Sequence, residues 1–199
     1  MSVAIPPLSA LPPPYPVVRF SVDDYHRLSD VGLLGENERI ELLEGCLVPK
    51  TTHSPLHADT IESLSELLQR VLPPGWRVRV QLPITTSDSE PEPDLAVVRR
   101  TRRTSGHPTA PDLALTIEVS DSTLTQDLHD KARLYARAEI VEYWVVNLRD
   151  RRLEVFRQPS GPISEPCYRQ SLVFQPGQTV ELRLDGAMAV ALNVSDLLP

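Results

Sequence analysis

The run Leu113-Ala-Leu-Thr-Ile-Glu-Val119 constrains the fold more than any other stretch of the chain. It is the most strand-like segment present, and its apolar content places it at the centre of a sheet rather than at an edge. It also carries Glu118. A carboxylate among side chains suited to a sheet interior is costly unless a cation or hydrogen-bond donors compensate it. Alternation sets Ile117 and Val119 against Glu118, which shares its face with Thr116 and Ser120. That mixed face suits the wall of a cleft.

The rest of the chain supplies elements to surround this strand. Residues 1–18 form a Pro-rich arm, with Pro6, Pro7, Pro12, Pro13, Pro14 and Pro16 ruling out a helix. Residues 19–199 read as one domain, a length sufficient for a sizeable core. Ser21 is placed to cap a helix whose first turn holds Asp23 and Asp24, with an end expected near Gly32 or Gly35. Two short strands over 39–48 meet at a tight turn in which Gly45 can take positive φ. A helix is expected from His57 to Leu72, where Ile61, Leu64, Leu67, Leu68 and Val71 recur at helical spacing before Pro73-Pro74-Gly75.

Strands follow at Trp76–Leu82 and Asp94–Val98, then a helix over Asp127–Ala138, then strands at Glu142–Leu148 and Leu153–Phe156 around Asp150-Arg151. Gln170–Phe174 and Thr179–Leu184, separated by Pro176-Gly177, look like a further hairpin region. There is no internal repeat. The order of elements predicts an α+β (mixed α/β) fold.

The formal net charge of -7 provides no global basic field to attract nucleic acid. A local basic surface would have to come from Arg99, Arg100, Arg102 and Arg103, which read equally as a solvated loop. Cys46 and Cys167 stand far apart without metal-type spacing. With no signal-peptide pattern, they suggest free thiols in a cytoplasmic protein. No apolar run is long enough to cross a membrane. Lysine occurs only at Lys50 and Lys131, so the position of each matters.

Asp94 opens an apolar strand after Glu90-Pro-Glu-Pro. On the 127–138 helix, Leu128, Lys131, Tyr135 and Ala138 share one face, so Lys131 interrupts an apolar stripe. Two strand carboxylates and an inward lysine form a coherent charge set. A hard divalent cation, Mg²⁺ or Mn²⁺, would compensate Asp94 and Glu118; a buried salt bridge of Glu118 with Lys131, and Asp94 as a strand-entry cap, would do so equally well. There is no Ser/His/Asp or Cys/His set for covalent catalysis.

Pro93-Asp94 followed by Glu118-Val119-Ser120 resembles the PD-(D/E)XK nuclease motif, with serine where the motif has its final lysine. More specifically, the chain resembles the Uma2 family, a restriction-endonuclease-like group. The matching pieces are Arg39-Ile-Glu-Leu-Leu-Glu-Gly45, His57 opening a helix, Glu92-Pro-Asp-Leu-Ala-Val-Val98, Leu115-Thr-Ile-Glu-Val-Ser120, Asp127-Leu-His-Asp-Lys131, Leu134-Tyr-Ala-Arg-Ala138 and Glu142-Tyr-Trp-Val-Val-Asn147. They occur in the family's order and span roughly residues 19 to 199.

The resemblance implies a restriction-endonuclease-like core: a central mixed β-sheet flanked by helices, with extra β-hairpins. It implies a Mg²⁺- or Mn²⁺-dependent endonuclease acting on DNA, in which Asp94 and Glu118 bind the metal and Lys131 replaces the missing lysine. Glu41 or Glu44 would complete the site, although Glu44 reads equally as a hairpin-turn residue. His57 either faces the cleft or serves its helix end. Asp127 either orients Lys131 or answers the helix dipole. Tyr135 reads as packing, and Tyr143-Trp144 as core. Nucleases of this fold often pair, so a homodimer is expected, with the C-terminal hairpin region as its surface. A catalytically inactive binding or structural protein on the same scaffold is the alternative.

Overall fold

The computed structural model describes residues 16–35, 39–50, 54–101 and 105–199. Most of the Pro-rich arm, His53, Arg102 and Arg103 lie outside the described residues; 16–18 are exposed and carry no regular structure.

Ser21 caps α1 (Val22–Asp30) through a reciprocal pair of bonds. The Asp24 amide donates to Ser21 Oγ at 3.1 Å, and the Ser21 amide donates to Asp24 Oδ2 at 3.1 Å. The helix stops short of Gly32, and none of its residues is buried. Strands β1 (Ile40–Leu43) and β2 (Cys46–Pro49) pair across Glu44-Gly45, whose φ values of 50° and 74° give the twist a two-residue hairpin favours. Gly45 is required twice over. Beyond its positive φ, a Cβ there would lie 2.5 Å from Arg19 Cβ.

Helix α2 (Pro55–Val71) follows, capped by Ser54, with Ile61, Leu64 and Leu68 on its buried face. The main sheet has six strands in the order β3 (Trp76–Val80), β4 (Leu95–Arg99), β5 (Leu113–Ser120), β6 (Glu142–Asn147), β7 (Arg152–Pro159) and β8 (Tyr168–Phe174). All neighbours are antiparallel except β5 and β6. A parallel pair needs a crossover. Here it is a helical stretch built from α3 (Leu124–Gln126), a π-turn over Asp127–Lys131, and α4 (Ala132–Arg137).

The sheet is mixed and flanked by helices, as expected, and β5 lies inside it with all eight of its residues buried. One face, with Leu115, Ile117, Val119 and Trp144, packs on α2 and on the C-terminal hairpin. The other, with Tyr143 and Val145, packs under Leu134 and Tyr135 of α4. Both faces of β5 are therefore covered, which is why the run reads as continuously apolar.

Strand pairing near the C-terminus differs from the expected hairpin of 170–174 with 179–184. β8 pairs with β7, whereas β9 (Thr179–Leu184) pairs with β10 (Ala187–Asn193) across Asp185-Gly186. Both runs alternate, so alternation alone could not assign their partners; burial does. Val180, Leu182 and Leu184 turn into the core, and Pro176-Gly177 links two sheets instead of turning one. The β9–β10 hairpin is thus seated on the core by its apolar face.

Gly45→Ala is expected to cost about 1–3 kcal/mol in chemical denaturation. Gly177→Ala, at φ 85° with no atom within 4 Å of a new Cβ, should cost only the backbone part, about 1 kcal/mol. Equal losses at the two positions would contradict the close approach of Arg19.

Candidate functional site

Asp94 and Glu118 face each other because of strand register. Leu95 pairs with Ile117 and Ala96 with Thr116, so the next step back sets Asp94 opposite Glu118. The Val119 amide donates to Asp94 Oδ2 at 2.9 Å, and Gln81 Nε2 donates to Oδ1 at 3.4 Å. Both carboxylates are buried, at 5% and 3% exposure. His57, in the first turn of α2, brings Nε2 to 3.2 Å from Asp94 Oδ2. It therefore faces the cleft, and its backbone amide, not its ring, meets the Ser54 cap.

The crossover delivers the lysine. Lys131 Nζ donates to Glu118 Oε1 at 2.8 Å, and the buried Tyr135 hydroxyl donates to the same oxygen at 2.8 Å. Tyr135 is thus more than packing: it helps fix the carboxylate, while Tyr143 and Trp144 are wholly buried. Ser120, where the usual motif has lysine, serves Asp127 instead. Its hydroxyl donates to Asp127 Oδ2 at 2.7 Å, joined by Thr123 Oγ1 at 2.6 Å. Asp127 Oδ1 lies 3.8 Å from Lys131 Nζ. The π-turn begins at Asp127 and ends at Lys131, and the Tyr143 hydroxyl donates to the Asp127 carbonyl at 3.1 Å.

The acidic pair of the first hairpin divides. Glu41 is buried in β1, where Oε1 accepts the Glu92 amide at 2.8 Å and lies 3.4 Å from Lys50 Nζ. Glu44 occupies the turn and points elsewhere. Arg133 binds both of its carboxylate oxygens, and Arg137 Nη1 lies 2.9 Å away. Of the two readings open for Glu44, the structure places it as an ion-paired turn residue that does not line the cleft.

Lys50 and Glu92, which sequence pattern alone does not assign to the site, both line it. Lys50 Nζ donates to Glu92 Oε2 at 2.9 Å and to the Glu92 carbonyl at 3.0 Å. Lysine rarity was the available signal, since the chain's two lysines line one cleft.

The cleft encloses about 300 Å³ and is lined by six carboxylates: Glu41, Glu92, Asp94, Glu118, Asp121 and Asp127. Lys50, Lys131 and His57 oppose them. Burial pushes the Asp94 carboxyl up, but the bond and charge of His57, the Val119 amide and Lys131 together hold it below its ordinary value. Glu118 goes the other way. Burial is the main cause; Lys131 pulls it down, but Asp94, Asp127 and Glu41 push it up, and it reaches about 8. Burial opposes the charge on Lys131, but Glu118, Glu41 and Asp127 overcome this and raise its value, so it remains an ammonium. Negative charge in the cleft exceeds what the side-chain cations neutralise.

Arg99 and Arg100 do not line this cleft. Arg99 ends β4, about 16 Å along the strand from Asp94. It stacks 4.8 Å over the Trp76 ring and pairs with Asp185.

A model of the Uma2 family, described as "Putative restriction endonuclease", matches residues 22–195. The chain belongs to the Uma2 family. Every cleft residue of this Uma2 protein falls inside the matched span. Its fold is similar to the crystal structure of a protein from Anabaena variabilis described as a putative nuclease belonging to DUF820. The TM-score is 0.68 at 20% identity, covering 89% of this chain and 97% of that one. At that identity the likeness concerns the fold. No curated protein matches the chain in sequence.

In buffer free of divalent ions, the raised Glu118 value predicts a specific pH dependence. Its contribution to stability is fully present below its ordinary value of 4.5 and is lost as pH rises through about 8. Glu118→Gln lacks this titration, so its stability relative to wild type should rise between pH 5 and pH 8, by on the order of 1 kcal/mol or more. Parallel pH profiles in urea denaturation would contradict the raised value.

Proposed function

We propose that this Uma2 protein is a divalent-metal-dependent endonuclease that hydrolyses phosphodiester bonds in DNA. The observation that carries the reading is the convergence of Asp94, Glu118 and Lys131 in one acidic cleft, with Glu41 beside them.

The donor set fits a hard cation. Asp94 and Glu118 offer oxygen only, from rigid neighbouring strands, which matches Mg²⁺ or Mn²⁺ better than a soft metal. Lys131 and Tyr135 both take Glu118 Oε1, so Oε2 is engaged by neither. A divalent cation held there would polarise a phosphate oxygen and make a bound water more acidic. Asp94 is kept ionised by His57 and the Val119 amide, ready to act as a ligand. Lys131, always an ammonium, neutralises charge that develops on the phosphate oxygens during attack. Asp127 steadies that lysine from one side, itself held by Ser120 and Thr123. Water attacks phosphorus in line, the P–O bond to the leaving oxygen breaks, and the chain forms no covalent intermediate. Glu41 extends the acidic wall, and Lys50 balances it. The reading takes residues 19–199 as one nuclease domain that works in the cytoplasm as a homodimer, so that two clefts address two strands. No helix among the described residues is long and apolar enough to cross a membrane.

One observation favours the rival reading, an inactive binding protein on the same scaffold. The pairs Lys131–Glu118 and His57–Asp94 already compensate the two central carboxylates. Plasmid cleavage with Mg²⁺ or Mn²⁺ separates the readings. Asp94→Ala and Lys131→Ala should each lower the rate by at least about a hundredfold. Cleavage untouched by both substitutions would remove these residues from the site. An absence of cleavage on any DNA, together with no Mn²⁺ uptake by calorimetry, would favour the rival.

A further inference from the structure

A second cluster of ligating groups lies outside the cleft. His26 of α1, Glu90 of the segment before β4, and His107 of the loop before β5 bring one ligand atom each within 4.8 Å of one another. His26 Nε2 lies 2.8 Å, and His107 Nε2 3.7 Å, from the same oxygen, Glu90 Oε1. The imidazole rings stand 6.4 Å apart at 72°, presenting both Nε2 atoms to that oxygen without stacking. None of the three residues lines the acidic cleft.

The carboxylate is fixed for this role. Glu90 is only 3% exposed, its amide donates to the Leu42 carbonyl at 2.7 Å, and Thr85 Oγ1 donates to Oε2 at 2.7 Å. That leaves Oε1 aimed at the two histidines, the kind of outer support that orients a ligating carboxylate. The histidines are partly exposed, at 45% and 37% of their side chains, so the position between them is open to solvent. Bonds of about 2.0–2.1 Å to a tetrahedral ion put neighbouring donors about 3.3 Å apart. The two observed separations bracket that value.

The geometry points to a transition-metal site of the Zn²⁺ class, with His26, Glu90 and His107 as ligands and water in the remaining position. Imidazole nitrogen sets its chemistry apart from the all-oxygen cleft: Zn²⁺, Co²⁺ or Ni²⁺ fit here, and Mg²⁺ does not. The site has a structural purpose. No residue of α1 is buried, so that helix gains little from apolar packing and depends on contacts such as Tyr25 Oη donating to the Ile40 carbonyl at 2.8 Å. A metal bridging His26 to Glu90 and His107 ties α1 to two segments distant in sequence. It does so just behind Glu92 and Asp94, and holds the entry to β4 in place.

The test uses the full chain and two probes, Zn²⁺ by calorimetry and Co²⁺ by its visible absorption. The double variant Asp94→Ala/Glu118→Ala should bind one Zn²⁺ and wild type at least that one, both developing the intense visible bands of low-coordinate Co²⁺. His26→Ala and His107→Ala, both at partly exposed positions and checked for folding by circular dichroism, should weaken Zn²⁺ by more than about a hundredfold, beyond what losing an outer-shell partner costs. Zn²⁺ should also raise the wild-type Tm and leave that of His26→Ala unchanged. The inference is overturned if wild type takes up no Zn²⁺ at micromolar concentrations. It is equally overturned if both histidine variants bind as wild type does, or if binding disappears only in Asp94→Ala/Glu118→Ala.

Discussion

Two carboxylates buried face to face across β4 and β5 impose conditions on nearly everything around them. Asp94 and Glu118 sit where a sheet would ordinarily place apolar side chains, and each must be supplied with donors or cations. The register of β4 on β5 provides the Val119 amide for one. The parallel step from β5 to β6 forces a crossover, and that crossover carries Lys131 and Tyr135 to the other. Helix α2 contributes His57, and the first hairpin docks on the 88–92 segment and brings Glu41 and Lys50 to the rim. The fold can be read as the set of connections needed to hold two acidic groups together in a buried place.

Compensation is incomplete, and this incompleteness has chemical content. The His57 bond, the Val119 amide and Lys131 hold the Asp94 carboxyl below its ordinary value, whereas burial first, and then the charges of Asp94, Asp127 and Glu41, leave Glu118 with a raised affinity for a proton. On the proposed reading, a divalent cation held between the two carboxylates would supply the compensation that the side chains leave short. Arg99 plays no part in the balance, since it is spent on Trp76 and Asp185 at the far end of β4. With a net charge of -7 the chain has no global basic field, so on the proposed reading a cation held in the cleft would supply the attraction for a polyanionic substrate.

Much of this was legible in the sequence because it rests on local pattern. The LALTIEV run announced a central strand with a misplaced carboxylate, and helical spacing exposed Lys131 as the residue interrupting an apolar face. What stayed hidden depends on pairing between distant segments. Glu41 and Glu44 look alike in the sequence, but one lies in a strand and the other in a turn of positive φ, where Arg133 and Arg137 claim it. Lys50 and Glu92 meet only because the hairpin docks on the 88–92 segment. The partners of β8 and β9 could not be told from alternation. The π-turn over Asp127–Lys131 leaves no mark in hydrophobic periodicity. The meeting of His26 with His107 depends on α1 being held over a loop roughly 80 residues away, at a scale no motif spans.

The most direct measurement is an anomalous difference map from crystals of the wild-type protein soaked in Mn²⁺. The account predicts a peak about 2.2 Å from carboxylate oxygens of both Asp94 and Glu118, absent from crystals of Asp94→Ala. A map with no peak in the cleft, with Lys131 still 2.8 Å from Glu118, would contradict it.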